Sequence, residues 1–135
     1  VVVTNQAGIA RGLYSEADYF DLMSWMKARF AEAGAAIVAV YHCPHHPEHG
    51  LGAYRRRCAC RKPEPGLLLQ AQRDLSLDLS RSVLIGDKMS DIEAARRAGV
   101  AQRVLLSDAN VADIGPQEIV LPTLHRIRDH LFDRA

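Results

Sequence analysis

Short apolar runs, bounded by Gly, Asp, Asn or Pro, alternate along the chain with longer segments of mixed polarity. Four of these runs are typical of buried strands, three of them being rich in Val and Ile, and a fifth predicts one more short strand. The predicted strands are residues 1–4, 36–41, 83–85, 103–106 and 118–120.

The segments between the runs carry helical signals. In the first segment, Ser15 is the predicted N-cap, Asp18 lies at the third helical position and Gly34 ends the helix. Trp25 lies on the same helix and is interpreted as a packing residue. The apolar residues of this helix recur at spacings of three and four: Phe20, Met23, Met26 and Phe30.

Three further helices are predicted. One covers residues 65–75, one begins at an N-cap at Ser90 and ends at Gly99, and the last covers residues 122–132. The apolar stripe of the first of these is Leu68, Leu69, Gln72 and Leu75. Strands that alternate with helices predict an α/β protein with a mostly parallel sheet flanked by helices, in one domain over residues 1–135.

Composition and charge narrow the class of protein. With 17 basic and 16 acidic residues the chain has no electrostatic footprint for nucleic acid or for an anionic membrane. No apolar run is long enough to span a membrane and no signal peptide is evident, so we expect a cytoplasmic protein. Because the chain opens inside an apolar run without Met, we also expect a preceding segment.

The irregular region of residues 44–65 is too long for a loop without secondary structure in a compact domain, unless an additional contact such as a metal site stabilises it. Thiolates and imidazole are preferred zinc ligands, and four of them close a structural site. The loop at residues 43–60 supplies Cys43, His45, Cys58 and Cys60. His46 competes with His45 as a ligand, four soft ligands accept iron as well as zinc, and the alternative is free cysteines.

Polar side chains follow the predicted strands where ligands bind in parallel sheets. Thr4 and Asn5 can hold phosphate oxygens, Lys62 supplies charge, Arg61 can grip a second anionic group, and Asp87 offers a hard oxygen ligand for Mg²⁺. Each residue taken alone is more typical of a turn, a cap or a solvated loop, so this interpretation depends on their joint placement.

Four segments together resemble one family. They are residues 2–12 (VVTNQAGIARG), 41–47 (YHCPHHP), 58–63 (CACRKP) and 86–91 (GDKMSD). They resemble the haloacid dehalogenase superfamily and, within it, the D-glycero-D-manno-heptose 1,7-bisphosphate phosphatase group, close kin of histidinol-phosphatase. The resemblance implies a three-layer Rossmann-like fold, a Mg²⁺-dependent phosphomonoesterase, a structural zinc, a small sugar-phosphate substrate and a monomer with no nucleic-acid or membrane partner.

The resemblance also implies roles for single residues. Thr4 and Lys62 match the groups that stabilise the transferring phosphoryl group, and Arg61 matches the residue that selects bisphosphates. Asp87 matches the Mg²⁺ ligand, and Asp91 matches a second acid that orients its surroundings. The positions matching substrate contacts are Thr4, Asn5, Gln6, Ala7, Arg61, Lys62 and Lys88, and those matching zinc ligands are Cys43, His45, Cys58 and Cys60.

The chain departs from the family at the first motif. The sequence contains no Asp-x-Asp pair, so the nucleophile and the central strand that carries it are expected upstream. Two alternatives to the heptose enzyme stay open: a histidinol-phosphatase, and an inactive zinc-stabilised fragment or sugar-phosphate binder. A zinc-knuckle nucleic-acid module is disfavoured, because the basic cluster at residues 55–57 has only Tyr54 as an aromatic neighbour and is interpreted as a solvated loop.

Overall fold

The computed structural model describes residues 1–109, 111 and 114–133, in two compact units, Val1–Arg61 and Lys62–Ala135. The single domain over residues 1–135 stays a prediction, and its residues 110, 112–113 and 134–135 lie outside the described part. Among the described residues, no helix combines the length and the apolar character that crossing a membrane requires.

The first unit contains two parallel strands and two helices. Its elements are β1 (Val2–Asn5), α1 (Ala7–Ala10), α2 (Glu16–Glu32), β2 (Val40–Cys43) and a 3₁₀ turn at Gly52–Tyr54. β1 pairs with β2 in parallel, so that Thr4 lies opposite His42 and Asn5 opposite Cys43. This register brings the end of the Thr-Asn segment beside the start of the cysteine-containing loop.

The predicted start of α2 is confirmed. The Ser15 hydroxyl accepts the Asp18 N–H at 3.1 Å, and the Asp18 carboxylate accepts the Ser15 N–H at 2.8 Å. This reciprocal capping box satisfies two backbone donors that the first turn would otherwise leave without partners. The helix ends at Glu32, shortly before the predicted Gly34.

Two predictions in this unit are wrong. Trp25 is 61% exposed and is not a packing residue, and Phe20 and Phe30 of the predicted stripe are exposed too, whereas Tyr19 is the buried residue of α2. Periodicity identifies an apolar face but does not say whether another element covers it. The second strand is Val40–Cys43 instead of 36–41, because pairing is confined to the length that β1 offers.

The described residues of the second unit form three parallel strands and three helices. Its elements are α3 (Gly66–Leu75), a 3₁₀ turn at Leu79–Arg81, β3 (Val83–Gly86), α4 (Met89–Ala98), β4 (Gln102–Leu106), β5 (Glu118–Leu121) and α5 (Leu124–Phe132). The strand order is β3-β4-β5, with both pairings parallel. The predicted alternation of helices with parallel strands is confirmed in both units.

The helices of this unit correct two details. Ser90 is not the N-cap of α4: Lys88 is, and its backbone N–H donates to the Asp91 carboxylate at 3.1 Å. The buried face of α3 is set by Leu67, Leu68 and Ala71, so the predicted stripe is displaced around the helix.

A charged network lies inside the second unit. Arg103 on β4 donates from Nε to Glu118 Oε1 on β5 at 2.7 Å, and both side chains are almost fully buried. The Nη1 of the same Arg103 donates to the Val100 carbonyl at 2.6 Å, and Arg96 Nη2 approaches the same Glu118 oxygen at 3.3 Å. Although burial alone would raise the pKa of Glu118, the hydrogen bond and charge of Arg103, together with Arg96, hold it below its ordinary value.

We expect Glu118→Gln to lower the free energy of unfolding by about 3 kcal/mol, because it leaves the Arg103 charge buried without an ionised partner. Since the folded-state pKa of Glu118 is lowered, its contribution is complete above the ordinary value of 4.5 and is lost as the pH falls further. Denaturant unfolding at pH 7 and at pH 3 measures both effects. Asp129→Asn is the matched control, because the Arg128–Asp129 pair is exposed to solvent and should contribute little to stability. Equal losses in the two variants would contradict the expectation.

Candidate functional site

The end of β1 presents the Thr-Asn-Gln segment within the first unit. The backbone N–H of Gln6 donates to the Cys43 carbonyl at 2.8 Å, which holds the chain beside β2 just after the strand ends. The Gln6 side-chain Nε2 donates to Thr4 Oγ1 at 2.9 Å. The Thr4 hydroxyl oxygen therefore accepts from within the protein, and its own proton can serve an acceptor outside it.

The predicted cysteine and histidine ligands lie together in the same unit. One ligand atom from each of Cys43, His45, Cys58 and Cys60 falls within 4.8 Å of all the others. The sulfur–sulfur distances are 2.9 Å for Cys43–Cys60 and 3.4 Å for Cys43–Cys58, and His45 Nδ1 lies 3.7 Å from the Cys43 sulfur. Three thiols and one imidazole in a closed group are the donor set of a structural zinc site.

His46 does not join this group. Its Nδ1 accepts backbone N–H groups from Glu48 at 3.1 Å and from His49 at 3.0 Å, so the ring stabilises a turn of the loop. Of the two histidines, His45 is therefore the one that lies with the three thiols.

Burial and hydrogen bonding shift the pKa values of the cysteine thiols in different directions. Burial raises the pKa of Cys43 well above its usual range, and hydrogen bonding to Cys60 adds to the effect. Burial would also raise the pKa of Cys58, but hydrogen bonds from Cys60 and Cys43 bring it below its ordinary value. Thiols packed this closely favour sharing a cation, since a bound metal replaces their protons.

Arg61 is anchored to the same loop. Its guanidinium Nη1 donates to the His45 carbonyl at 3.2 Å, and the residue is half-buried. A guanidinium carries five N–H donors, so one contact positions the group and leaves others for an anion.

In the second unit, Lys62 is held by a buried carboxylate. Lys62 Nζ lies 2.5 Å from Asp91 Oδ1, and both side chains are nearly buried. The other Asp91 oxygen accepts the Lys88 backbone N–H. Gly86 packs against Asp91, because a Cβ there would lie 2.4 Å from the Asp91 Cβ. The side chain of Asp91 is fully committed to these contacts.

Asp87 and Lys88, directly after β3, are both exposed. Asp87 thus presents a hard carboxylate to solvent, whereas the neighbouring Asp91 is turned inward. The predicted residues of the two units are therefore placed as follows: Thr4, Asn5, Gln6, Ala7, Arg61 and the four metal-type ligands in the first, and Lys62, Asp87, Lys88 and Asp91 in the second.

Sequence reasoning missed two groups of contacts. Glu16 accepts from the Tyr54 hydroxyl at 3.0 Å and pairs with His42 Nε2 at 3.1 Å, which ties the start of α2 to the cysteine-containing loop and to β2. The hydrogen bonds to His42 and Tyr54 keep the pKa of Glu16 below its ordinary value. The Tyr14 hydroxyl donates to Gln6 Oε1 at 2.5 Å. No spacing pattern in the sequence predicts such hydrogen-bonded pairs, because each pair depends on the tertiary structure of the chain.

A family model and two relatives with similar names match the sequence of this chain. A family model described as HAD-hydrolase-like matches residues 59–124. The chain is 54% identical over 114 residues to a D-glycero-alpha-D-manno-heptose-1,7-bisphosphate 7-phosphatase of Burkholderia mallei, with 84% of this chain and 60% of that protein covered. It is 43% identical over 129 residues to a D-glycero-beta-D-manno-heptose-1,7-bisphosphate 7-phosphatase of Vibrio cholerae, with 96% of this chain and 69% of that protein covered.

A solved structure is similar as well. A D,D-heptose 1,7-bisphosphate phosphatase from B. bronchiseptica, complexed with magnesium and phosphate, aligns with a TM-score of 0.80 and 29% identity. The alignment covers 99% of this chain and 75% of that one. The chain thus spans between about three-fifths and three-quarters of the length of these proteins.

Proposed function

We propose that this chain, which belongs to the haloacid dehalogenase family and within it to the heptose-1,7-bisphosphate phosphatases, forms the larger part of a phosphatase. The proposed enzyme hydrolyses one phosphate monoester of a sugar bisphosphate. The proposed substrate is D-glycero-D-manno-heptose 1,7-bisphosphate, cleaved at position 7. The observation that carries this proposal is the buried ion pair in which Lys62 Nζ lies 2.5 Å from Asp91 Oδ1. This contact holds the Lys62 ammonium in place without a bound substrate. Fixed charge of this kind is what phosphoryl transfer requires of a protein.

By the family resemblance, the proposed nucleophile is an aspartate of an Asp-x-Asp motif, a pair that the printed sequence does not contain. In the proposed reaction an oxygen of that aspartate forms a bond to phosphorus as the bond to the sugar oxygen breaks, and the second aspartate of the motif gives its proton to the sugar oxygen. Water then attacks phosphorus and releases inorganic phosphate and the free aspartate.

The described residues stabilise the phosphoryl group in this proposal. The Thr4 hydroxyl donates to a phosphoryl oxygen, and the Lys62 ammonium neutralises charge on the equatorial oxygens. Substrate contacts are assigned to Asn5, Gln6, Ala7 and Lys88 on the strength of the family resemblance.

A magnesium ion fits Asp87 in its chemistry. Mg²⁺ binds through one or two carboxylates, keeps several waters and shares phosphate oxygens with the substrate. The exposed Asp87 carboxylate meets this need, whereas Asp91 is occupied by Lys62 and the Lys88 backbone. When bound, the ion supplies positive charge to the phosphoryl oxygens.

A zinc ion fits the group of Cys43, His45, Cys58 and Cys60. With four protein ligands no position is left for water, so its proposed role is structural. It would order the loop from which Arg61 extends.

Arg61 is proposed to bind the second phosphate of the substrate. We expect Arg61→Ala to raise KM for the bisphosphate by about tenfold or more while changing KM for a heptose monophosphate little, because a charge-assisted contact with one anionic group is lost. Arg57→Ala is the matched control, since Arg57 is exposed in the basic cluster. Zinc content, measured in both variants, shows whether the loop is intact. Equal losses on the bisphosphate and the monophosphate would count against this assignment.

The function itself is tested by phosphate release from a substrate panel. The full-length protein, with Mg²⁺, is offered both anomers of the heptose 1,7-bisphosphate and histidinol phosphate. We expect release from the heptose substrates that requires Mg²⁺ and stops with EDTA, with the preferred anomer identified by rate. Preference for histidinol phosphate would replace the proposal by its alternative, and a folded protein that releases phosphate from none of them would point to a binder.

A further inference from the structure

A chain of two hydrogen bonds runs from Tyr14 to Thr4 within the first unit. The Tyr14 hydroxyl donates to Gln6 Oε1 at 2.5 Å, and Gln6 Nε2 donates to Thr4 Oγ1 at 2.9 Å. All three side chains are half-buried. Thr4 lies in β1 and Gln6 directly follows that strand, whereas Tyr14 lies eight residues beyond Gln6.

The direction of these hydrogen bonds decides what the Thr4 hydroxyl can do. A glutamine amide accepts at one end and donates at the other. With its oxygen toward Tyr14, Gln6 presents N–H to Thr4, and the Thr4 proton stays available for an acceptor outside the protein. With the amide reversed, its oxygen would accept that proton, and Thr4 would present lone pairs to an incoming phosphoryl oxygen.

The backbone makes room for this arrangement. A Cβ at Gly8 would lie 2.2 Å from Tyr14 Cε1 and 2.7 Å from its hydroxyl oxygen, so the Tyr14 ring lies against a position that holds no side chain. Gly8 follows Gln6 by two residues, and the ring therefore reaches the amide across the start of α1. The contact is built by the local fold.

We propose that Tyr14 is a positioning residue that fixes the orientation of the Gln6 amide and thereby directs the Thr4 hydroxyl proton toward the substrate. The inference rests on the proposed function, in which Thr4 donates to the transferring phosphoryl group. Tyr14 itself touches no reacting atom in this account.

The test uses the full-length protein and the variant Tyr14→Phe. Loss of the hydroxyl frees the amide to reverse, so kcat is expected to fall about tenfold with KM within about twofold, a loss equivalent to one ordinary hydrogen bond. Tyr19→Phe is the matched control: the Tyr19 hydroxyl is buried and has no hydrogen-bond partner among the described residues, so its removal should leave kcat unchanged.

A double-mutant cycle separates positioning from general packing. In the background of Thr4→Val, which has no hydroxyl to direct, Tyr14→Phe should cause no further loss of kcat. Gln6→Met, which keeps the length of the side chain and the Tyr14 ring, should reproduce the loss and serves if Tyr14→Phe lowers the melting temperature.

Several results would overturn the inference. These are a kcat of Tyr14→Phe within twofold of wild type, independent losses that multiply in the double variant, or an equal loss in Tyr19→Phe. Wild-type protein that releases no phosphate from any sugar phosphate would overturn the proposed function and this inference together, an outcome distinct from failure in the variants alone.

Discussion

We expect the replacement of Lys62 with alanine to lower kcat for the proposed substrate by about a thousandfold and to change KM much less. The reason is that the ammonium acts on charge that develops during phosphoryl transfer, and removal of one preorganised donor of this kind costs roughly 10²–10³ in rate. The measurement is steady-state phosphate release by the full-length protein over a range of substrate concentrations.

Loss of stability has to be separated from loss of chemistry in this variant. Lys62→Ala leaves Asp91 as a nearly buried carboxylate without its cation, which should cost about 3 kcal/mol of unfolding free energy. The double variant Lys62→Ala/Asp91→Asn removes both charges, so it should recover much of the stability and none of the turnover. Recovery of kcat in the double variant would show that Lys62 acts only through folding.

We expect the replacement of His45 with alanine to remove the proposed zinc ion from the loop. Without one of four ligands a structural zinc site loses most of its affinity, and metal-binding free energy is folding free energy in such a loop. We expect bound zinc to fall from one equivalent to near zero, the melting temperature to drop by about 10 °C or more, and proteases to cut between residues 46 and 57. Elemental analysis, thermal unfolding and limited proteolysis measure the three effects.

His46→Ala is the matched control for this loss. The residue is the same type and the next in sequence, but its ring accepts only backbone N–H groups of the turn. It should therefore keep one equivalent of zinc, with a melting temperature lowered by a few degrees at most. Zinc retained in His45→Ala, or lost equally in both variants, would contradict the ligand assignment. Iron in place of zinc would correct the metal while leaving the ligands as assigned.

The parts of the fold that depend on neighbours in sequence were predictable. The Ser15–Asp18 capping box is local, and so are the short β-branched runs that became β1 and β3. The burial of α2 was not predictable, because periodicity cannot say what covers a face, and Trp25 is exposed. The start of β2 was misplaced for a similar reason: the apolar run is longer than the strand with which it pairs.

In the candidate site, too, some residues are predictable from sequence patterns and others depend on tertiary contacts. Spacing predicted the three cysteines and His45, with His46 as a competitor, because loop ligands for a metal come in close pairs. In the structure His45 lies with the thiols, whereas the His46 ring accepts backbone N–H groups of the turn. The contact between Tyr14 and Gln6 could not be predicted from the sequence, since it depends on the Tyr14 ring lying across Gly8. The ion pair of Arg103 and Glu118 could not be predicted either, because Arg103 begins an apolar run and Glu118 lies on another strand.

The proposed 7-phosphatase activity is tested by ³¹P NMR of a heptose 1,7-bisphosphate incubated with the full-length protein and Mg²⁺. We expect the signal of the 7-phosphate to disappear, one equivalent of inorganic phosphate to form, and the 1-phosphate signal to persist. Persistence of both sugar phosphate signals with a folded, zinc-loaded protein would contradict this expectation, and so would release of both phosphates.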